Sequence, residues 1–532
     1  MDPITRTCSL LLAAALAAAV PARATPGDLG AYMRARAAAA DGAVGPAAQD
    51  YAQALAGAPG DAVVALRAYR EAMRAGDAAL ADRAAAVLVS AGVLPADAAV
   101  FRFAAAAQAG DPAAAQAAVA RLEKGPLRIL AAPLRAWTAL AVGGDPLAPL
   151  ATPGEDIVAR RFAEETRALI LIARGDPAGL AAVRAMPLPE QSGDVRIAAA
   201  RLLIARGQAA DARALLAGDG GAAARALADR AGDRAWGAQP TLAFGASQLF
   251  ARVAADLIVG EPGALAYTLV QSALRADPAN DRASLLLASL LSRDDAAERA
   301  LAVIDRVPAR SLYADSAAAA RVQVLAAAGR DADALGTARA LAAQGSPDDL
   351  RRLADLYARL GQPADAAALY KRLLDRAGDA ADWSDWLQYA AVSDAAGDWP
   401  HTRAALERAA ARAPDEPLVL NYFGYALILR RERVAAAQAM LEKAARLKPD
   451  DAAIADSLGW SLYLRGQAAR ALPLIERAAA AEPANAEIAE HLGDAYWQLG
   501  RRYEARYAWT AARQTAEGAS GVRLDDKIAD GL

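Results

Sequence analysis

The chain of 532 residues contains one cysteine, two histidines and only 5% aromatic residues. Each scarcity removes a class of function. A single cysteine, Cys8, rules out an internal disulfide. Two histidines that lie far apart, His401 and His491, leave little material for acid–base or metal chemistry. No apolar run reaches the roughly 18 residues that a membrane-spanning helix needs. The net charge of −3 gives no basic footprint for nucleic acid. No H-E-x-x-H, G-x-S-x-G, phosphate-loop or dinucleotide fingerprint is present. "GDGG" at Gly218–Gly221 has the glycines of a phosphate loop but lacks the Lys-Ser/Thr that would follow.

What is abundant is alanine, the strongest helix former, which dominates a hydrophobic content of 55%. The alanine-rich helices carry a beat. Gly424, Gly459 and Gly493 are spaced by 35 and 34 residues, and Gly466 and Gly500 by 34. Pro414, Pro449 and Pro483 recur at 35 and 34. Three markers with one period predict stacked repeats.

Within a copy, Leu458, Gly459 and Leu462 fall on one face of a first helix. Glycine on that face lets a second helix approach, with Ala471 and Ala478 opposite and Ile475 filling the remaining space. Gly466 supplies the left-handed residue that ends the first helix. Pro483 ends the second helix, and Asn485 is suited to cap the next. A pair of about 34 residues is too small to fold alone, so it must bury its face on a neighbour.

Upstream, Gly397, Gly361 and Gly329 continue the turns, with Leu353, Tyr357, Tyr370, Trp386 and Leu406 at the bulky positions. Gly260 and Pro278 frame an earlier copy, and another runs from Asp277 to near Pro308. Before these, turn glycines are expected at Gly42, Gly76, Gly110, Gly144, Gly175 and Gly207. Such a period accounts for roughly fourteen hairpins and leaves almost no room for a second fold.

These residues resemble the tetratricopeptide repeat. Gly459, Gly466, Ala471, Ile475 and Pro483 stand at its small, turn, small, bulky and proline positions. Gly493, Gly500, Ala505 and Trp509 do so in the last copy, where Glu517 replaces the proline. The third-last copy has Gly424, Ala436, Met440 and Pro449, with Arg431 in place of the turn glycine.

The resemblance implies an all-α, right-handed superhelical solenoid of helix–turn–helix hairpins, and a non-enzymatic scaffold or adaptor. It also implies that first helices line a concave groove. That groove would be formed by Leu418, Asn421, Tyr425 and Ile428, then Ala453, Asp456, Trp460 and Tyr463, then Glu487, Glu490, Asp494 and Trp497, with His491 beside them. Aromatics with acids between them suit an apolar or basic segment of a partner protein. The layout also looks similar to bacterial envelope adaptors, some of which bring substrates to a carboxyl-terminal processing protease.

The expected division is an export signal over 1–24, degenerate repeats over 25–216 and a joint over 217–240. A solenoid follows over 241–517, best formed over 383–517, with a capping tail over 518–532. The signal reading rests on Arg6, the apolar "CSLLLAAALAAAV" and the small-x-small Ala22–Ala24, which implies a periplasmic location. Cleavage after Ala24 would leave no cysteine.

No cofactor is expected. Glu490, His491 and Asp494 could together hold a metal for a hydrolase, the alternative to a scaffold, as is a self-assembling structural solenoid. The plainer reading of His491 is a polar groove residue. Paired acids at Asp348–Asp349 and Asp450–Asp451 are expected to cap helices, and Glu164–Glu165 to lie on a solvated face.

Overall fold

The computed structural model describes residues 26–532, except 152–155, 187–192, 218–220, 261–262, 344 and 517. The expected export signal, Cys8, the cleavage site, Glu517 and most of "GDGG" lie outside the described residues. Every regular element among the described residues is an α-helix or a short 3-10 turn. The chain divides into two compact units, Met1–Thr337 and Ala338–Leu532.

The second unit is a serial stack of hairpins. They are Pro347–Arg359 with Pro363–Ala377, Trp383–Ala395 with Trp399–Arg412, and Pro417–Leu429 with Val434–Leu447. Ala452–Leu464 with Ala468–Ala481 and Ala486–Gln498 with Arg502–Arg513 follow, and Gly518–Asp530 closes the unit. Each helix packs chiefly on its hairpin partner and on its neighbours in sequence. A methyl placed on Gly459 would stand 2.6 Å from Ile475 Cγ1 and one on Gly424 2.9 Å from the Ala437 carbonyl, while one on Gly493 would run into the Trp509 ring. The small residue is therefore needed where the two helices of a hairpin touch.

The turns follow the period. Gly466 and Gly500 are left-handed, with φ of 74° and 80°. Arg431, which occupies the equivalent place, is forced to φ 54° despite its Cβ. Asn485 accepts from the Glu487 and Ile488 amides, and Asp451 from the Ile454 amide, so both cap as anticipated.

The first unit holds hairpins too, but its chain also folds back on itself. Helix Leu242–Ile258 packs on Ala96–Ala109, Ala131–Ala141, Ile157–Arg174, Ala264–Ala276 and Asp281–Arg293. Its residues are buried on nearly every side, as an apolar helix requires. Gly245 lies flat against Trp137, and Phe250 meets the edge of Phe103. Helix Ala264–Ala276 lies against Ala62–Ala75 and Ala96–Ala109, where Thr268 donates to Asp97 at 3.0 Å. Serial stacking alone does not describe this unit.

Four local readings are corrected here. The left-handed glycine near 144 is Gly143, one residue earlier than expected. Gly260 does not adopt a left-handed conformation, because its helix runs on to Ile258 and ends without that motif. Glu165 is not solvated: it sits inside the unit beside Arg252 and Arg161, and burial pushes its carboxyl up. The segment 217–240, expected as a joint, lies within the first unit. Its helix Ala222–Arg230 buries Ala223, Ala224 and Leu227, and the Ala238 amide donates to the Arg201 carbonyl. The two units divide at Thr337/Ala338 instead.

Candidate functional site

First helices of three successive hairpins in the second unit present one pocket of about 610 Å³. Its wall is built from Tyr425 and Leu429, Trp460, then Glu487, Glu490, His491 and Asp494, and is closed by the helix Gly518–Asp530. No residue of the second helices lines it. A period of about 34 residues explains this, because it returns the same helix face to the same side in every copy.

An aromatic shelf forms the middle of the wall. The imidazole of His491 stacks on Trp460 with ring centres 3.8 Å apart and planes 12° from parallel. Trp460 stacks in turn on Tyr463 at 4.5 Å and 11°. Beneath the shelf, His491 Nδ1 lies 2.8 Å from Asp456 Oδ2, and both residues are buried. Asp456 therefore orients the imidazole and keeps the stack in register. The other oxygen, Asp456 Oδ1, and Asn421 Oδ1 are buried without a hydrogen-bond partner among the described residues. Tyr425 donates to Glu487 at 2.8 Å, and burial together with that acid pushes its phenol up. Burial pushes the Tyr463 phenol up to about 12, with Asp494 adding to the effect.

The other end of the wall is already occupied. Glu490 receives two hydrogen bonds of 2.8 Å from Arg523 and one of 2.7 Å from Lys527. Burial would raise this carboxyl, but the two cations outweigh it and hold it down at about 2. Asp494 accepts from Lys527 at 2.7 and 2.8 Å and from the Trp509 indole at 2.8 Å. Its burial nonetheless pushes the carboxyl up.

Trp497 is half-buried against Trp509, under Arg502 at 3.7 Å and beside Gly531. Glu490, Asp494 and Trp497, expected to face an open groove, are instead covered by the chain's own C-terminal helix. Tyr425 and Trp460 stay half-buried at the pocket, whereas Tyr463 does not line it and packs behind Trp460 against the core around Leu462, Ala471 and Ile475. Ile428 is buried, and Leu418 and Ala453 are exposed. Among the structural positions, Ala471 and Ala505 are fully buried, whereas Ala436 and Pro449 are exposed.

The cluster considered for a metal does not converge. His491 turns to Asp456, whereas Glu490 and Asp494 turn to Lys527 and Arg523. No group of three or more His, Cys, Asp or Glu able to hold a metal exists among the described residues. His401 stands apart on Trp399–Arg412, bonded to Asp398 at 2.7 Å.

Sequence reasoning missed Arg523 and Lys527. They sit four residues apart on one helix face, with Leu524 and Ile528 as the apolar side that docks on Trp509. That spacing was visible, but its target was not.

No family model matches this chain, and no curated protein matches it. Solved structures similar to parts of it include a thermophilic tetratricopeptide-repeat protein, TTC0263, of Thermus thermophilus. That protein is 21% identical over 35% of this chain and 99% of its own, with a TM-score of 0.31. A tetratricopeptide-repeat protein from Parabacteroides merdae is 11% identical over 46% of this chain and 96% of its own, with a TM-score of 0.39. MamA from Desulfovibrio magneticus is 18% identical over 32% and 94%, with a TM-score of 0.28. No helix among the described residues is long and apolar enough to cross a membrane.

Proposed function

We propose that the chain is a non-enzymatic scaffold that holds a segment of another protein against the His491–Trp460–Tyr463 shelf. The stacked shelf is the observation that carries this reading. It is a rigid aromatic stack in which Trp460, held between His491 and Tyr463, still lines the pocket, and groups ordered in advance lose little freedom on binding. Leu429, half exposed, adds apolar surface to the same pocket. Glu487 remains exposed at its edge while Glu490 and Asp494 are neutralised internally. A partner segment with an apolar side chain for the shelf and a basic one for Glu487 fits best. The chemistry that Arg523 and Lys527 already satisfy next door supports the same choice.

The narrower form of this reading is an exported adaptor that delivers substrates to an envelope processing protease. It rests on the sequence resemblance and on the apolar N-terminal stretch. Capture from envelope extracts with wild-type chain and a Tyr425→Ala/Trp460→Ala variant tests both levels. Loss of the captured protein, with helicity unchanged by circular dichroism, supports the shelf. Equal capture by both chains moves the site elsewhere. Recovery of partners that include no protease and no cell-wall enzyme removes the narrower form alone.

A further inference from the structure

From the first unit, we infer a second docking site of opposite chemistry, a basic and apolar groove that takes an acidic amphipathic helix. It lies between helix Pro26–Ala40 and helix Ala62–Ala75 and has a volume of about 770 Å³.

Its floor and rim are apolar and open to solvent. Val63 is 61% exposed, Val93 55% and Leu66 39%, and all three line the groove. Met33 and Leu29, 58% and 56% exposed, lie one and two turns before Arg36 on the same helix face and extend the strip. Large apolar side chains exposed singly are ordinary, but three lining one groove, with two more on the adjoining helix face, are not.

The charges in this groove are positive, and two of them have no carboxylate to answer them. Arg36 lines it and has no partner among the described residues. Arg67 has no carboxylate partner there either; its guanidinium lies near the Tyr51 hydroxyl and 5.8 Å from the Tyr32 ring centre. Arg70 closes the end, bound to Asp97. The acid that lines the groove, Glu71, is held by Arg74 at 3.6 Å.

The neighbouring groove shows how this unit fills such a space. Helix Ala264–Ala276 already lies against Ala62–Ala75 and Ala96–Ala109, contributing Thr268 to Asp97 and Arg275 to the Phe101 ring at 4.4 Å. The stretch ahead of it has helical walls of the same kind, and no helix among the described residues lies in it. A second copy of this face is excluded by charge, since Arg36 and Arg67 would oppose their own counterparts. A concave groove between two helices also fits a helix better than a flat lipid surface. The occupant is thus a helix with a leucine-type stripe flanked by aspartate or glutamate.

The test uses the full chain and a labelled 18-residue helical peptide with leucine on one face and glutamate on the other. A leucine–lysine peptide of the same pattern is the control, and binding is read by fluorescence anisotropy. The acidic peptide is expected to bind about tenfold or more tightly than the basic one, with the difference shrinking as salt rises. Arg36→Glu alone, at an exposed side chain that holds nothing in place, should weaken it several-fold. Arg36→Glu with Val63→Ser should abolish it, while Trp460→Ala leaves it unchanged.

Equal affinity for the two peptides, or indifference to Arg36→Glu, overturns the proposal. So does binding of vesicles rich in phosphatidylglycerol without binding of the peptide. Self-association that Val63→Ser removes would assign the face to a second copy and overturn it equally.

Discussion

Lys527 is the most exacting place to test the reading of the closed end of the pocket. Its ammonium touches Glu490 at 2.7 Å and both oxygens of Asp494 at 2.7 and 2.8 Å. The three side chains are only 13%, 11% and 7% exposed. Lys527→Met keeps the aliphatic stem over Trp509 and removes only the charge. Glu490 then retains Arg523, whereas Asp494 is left buried with the Trp509 indole as its sole donor. Breaking one side of a buried pair costs about 3–5 kcal/mol. The lower figure applies here, because half of the cluster keeps a cation. Helix Gly518–Asp530 should therefore open about a hundredfold more readily, measured as amide hydrogen exchange across 518–530. Asp494→Asn in the same chain removes the stranded charge and should recover about 2 kcal/mol of that loss. Unchanged exchange in Lys527→Met, or losses that simply add in the double variant, would refute the reasoning.

Further outcomes follow from the same geometry. Gly493→Ala forces a methyl into fully buried Trp509 and should cost the second unit about 3 kcal/mol, read as a lowered thermal midpoint. Gly459→Ala brings a methyl onto Cγ1 of fully buried Ile475 and close to the Ala471 carbonyl, and should cost about 1–3 kcal/mol. Arg431→Gly relieves a left-handed residue with an exposed side chain and should stabilise by about 0.5–1 kcal/mol. The Glu490 carboxyl is held at about 2 rather than 4.5, so its contribution, about 3 kcal/mol, is present above pH 4.5 and lost as pH falls towards 2. Asp494 has the opposite sign, because a raised carboxyl gains stability on protonation as pH falls. Glu490→Gln should therefore flatten the loss of 518–530 protection below pH 4.5, and Asp494→Asn should steepen it.

Much of the second unit was legible because its markers act locally. A left-handed turn needs glycine, a close helix crossing needs a small residue, and an amide at a helix start needs an acceptor. Gly466, Gly459 and Asn485 each announce one of these needs within a few residues of where it is met. The shelf was half legible. Trp460, Tyr463 and His491 fall on the groove face by count, but their stacking depends on Asp456, 35 residues before His491. The closed end was not legible, since Glu490 and Asp494 look like free groove acids until the tail folds over them. Glu165 misled for a similar reason: its partner Arg252 lies 87 residues away.

By itself, the sequence determined that the chain is a series of helical hairpins and where most of them turn. Those properties arise from contacts between residues that are near one another along the chain. Only the tertiary structure decided that helix Leu242–Ile258 is wrapped by helices both before and after it in the chain, that the last groove is closed by Arg523 and Lys527, and that none of the described residues fills the groove of Arg36 and Arg67. Whether a charged or apolar face is buried depends on what the folded chain brings to it from a distance, and a repeating local pattern carries no information about that.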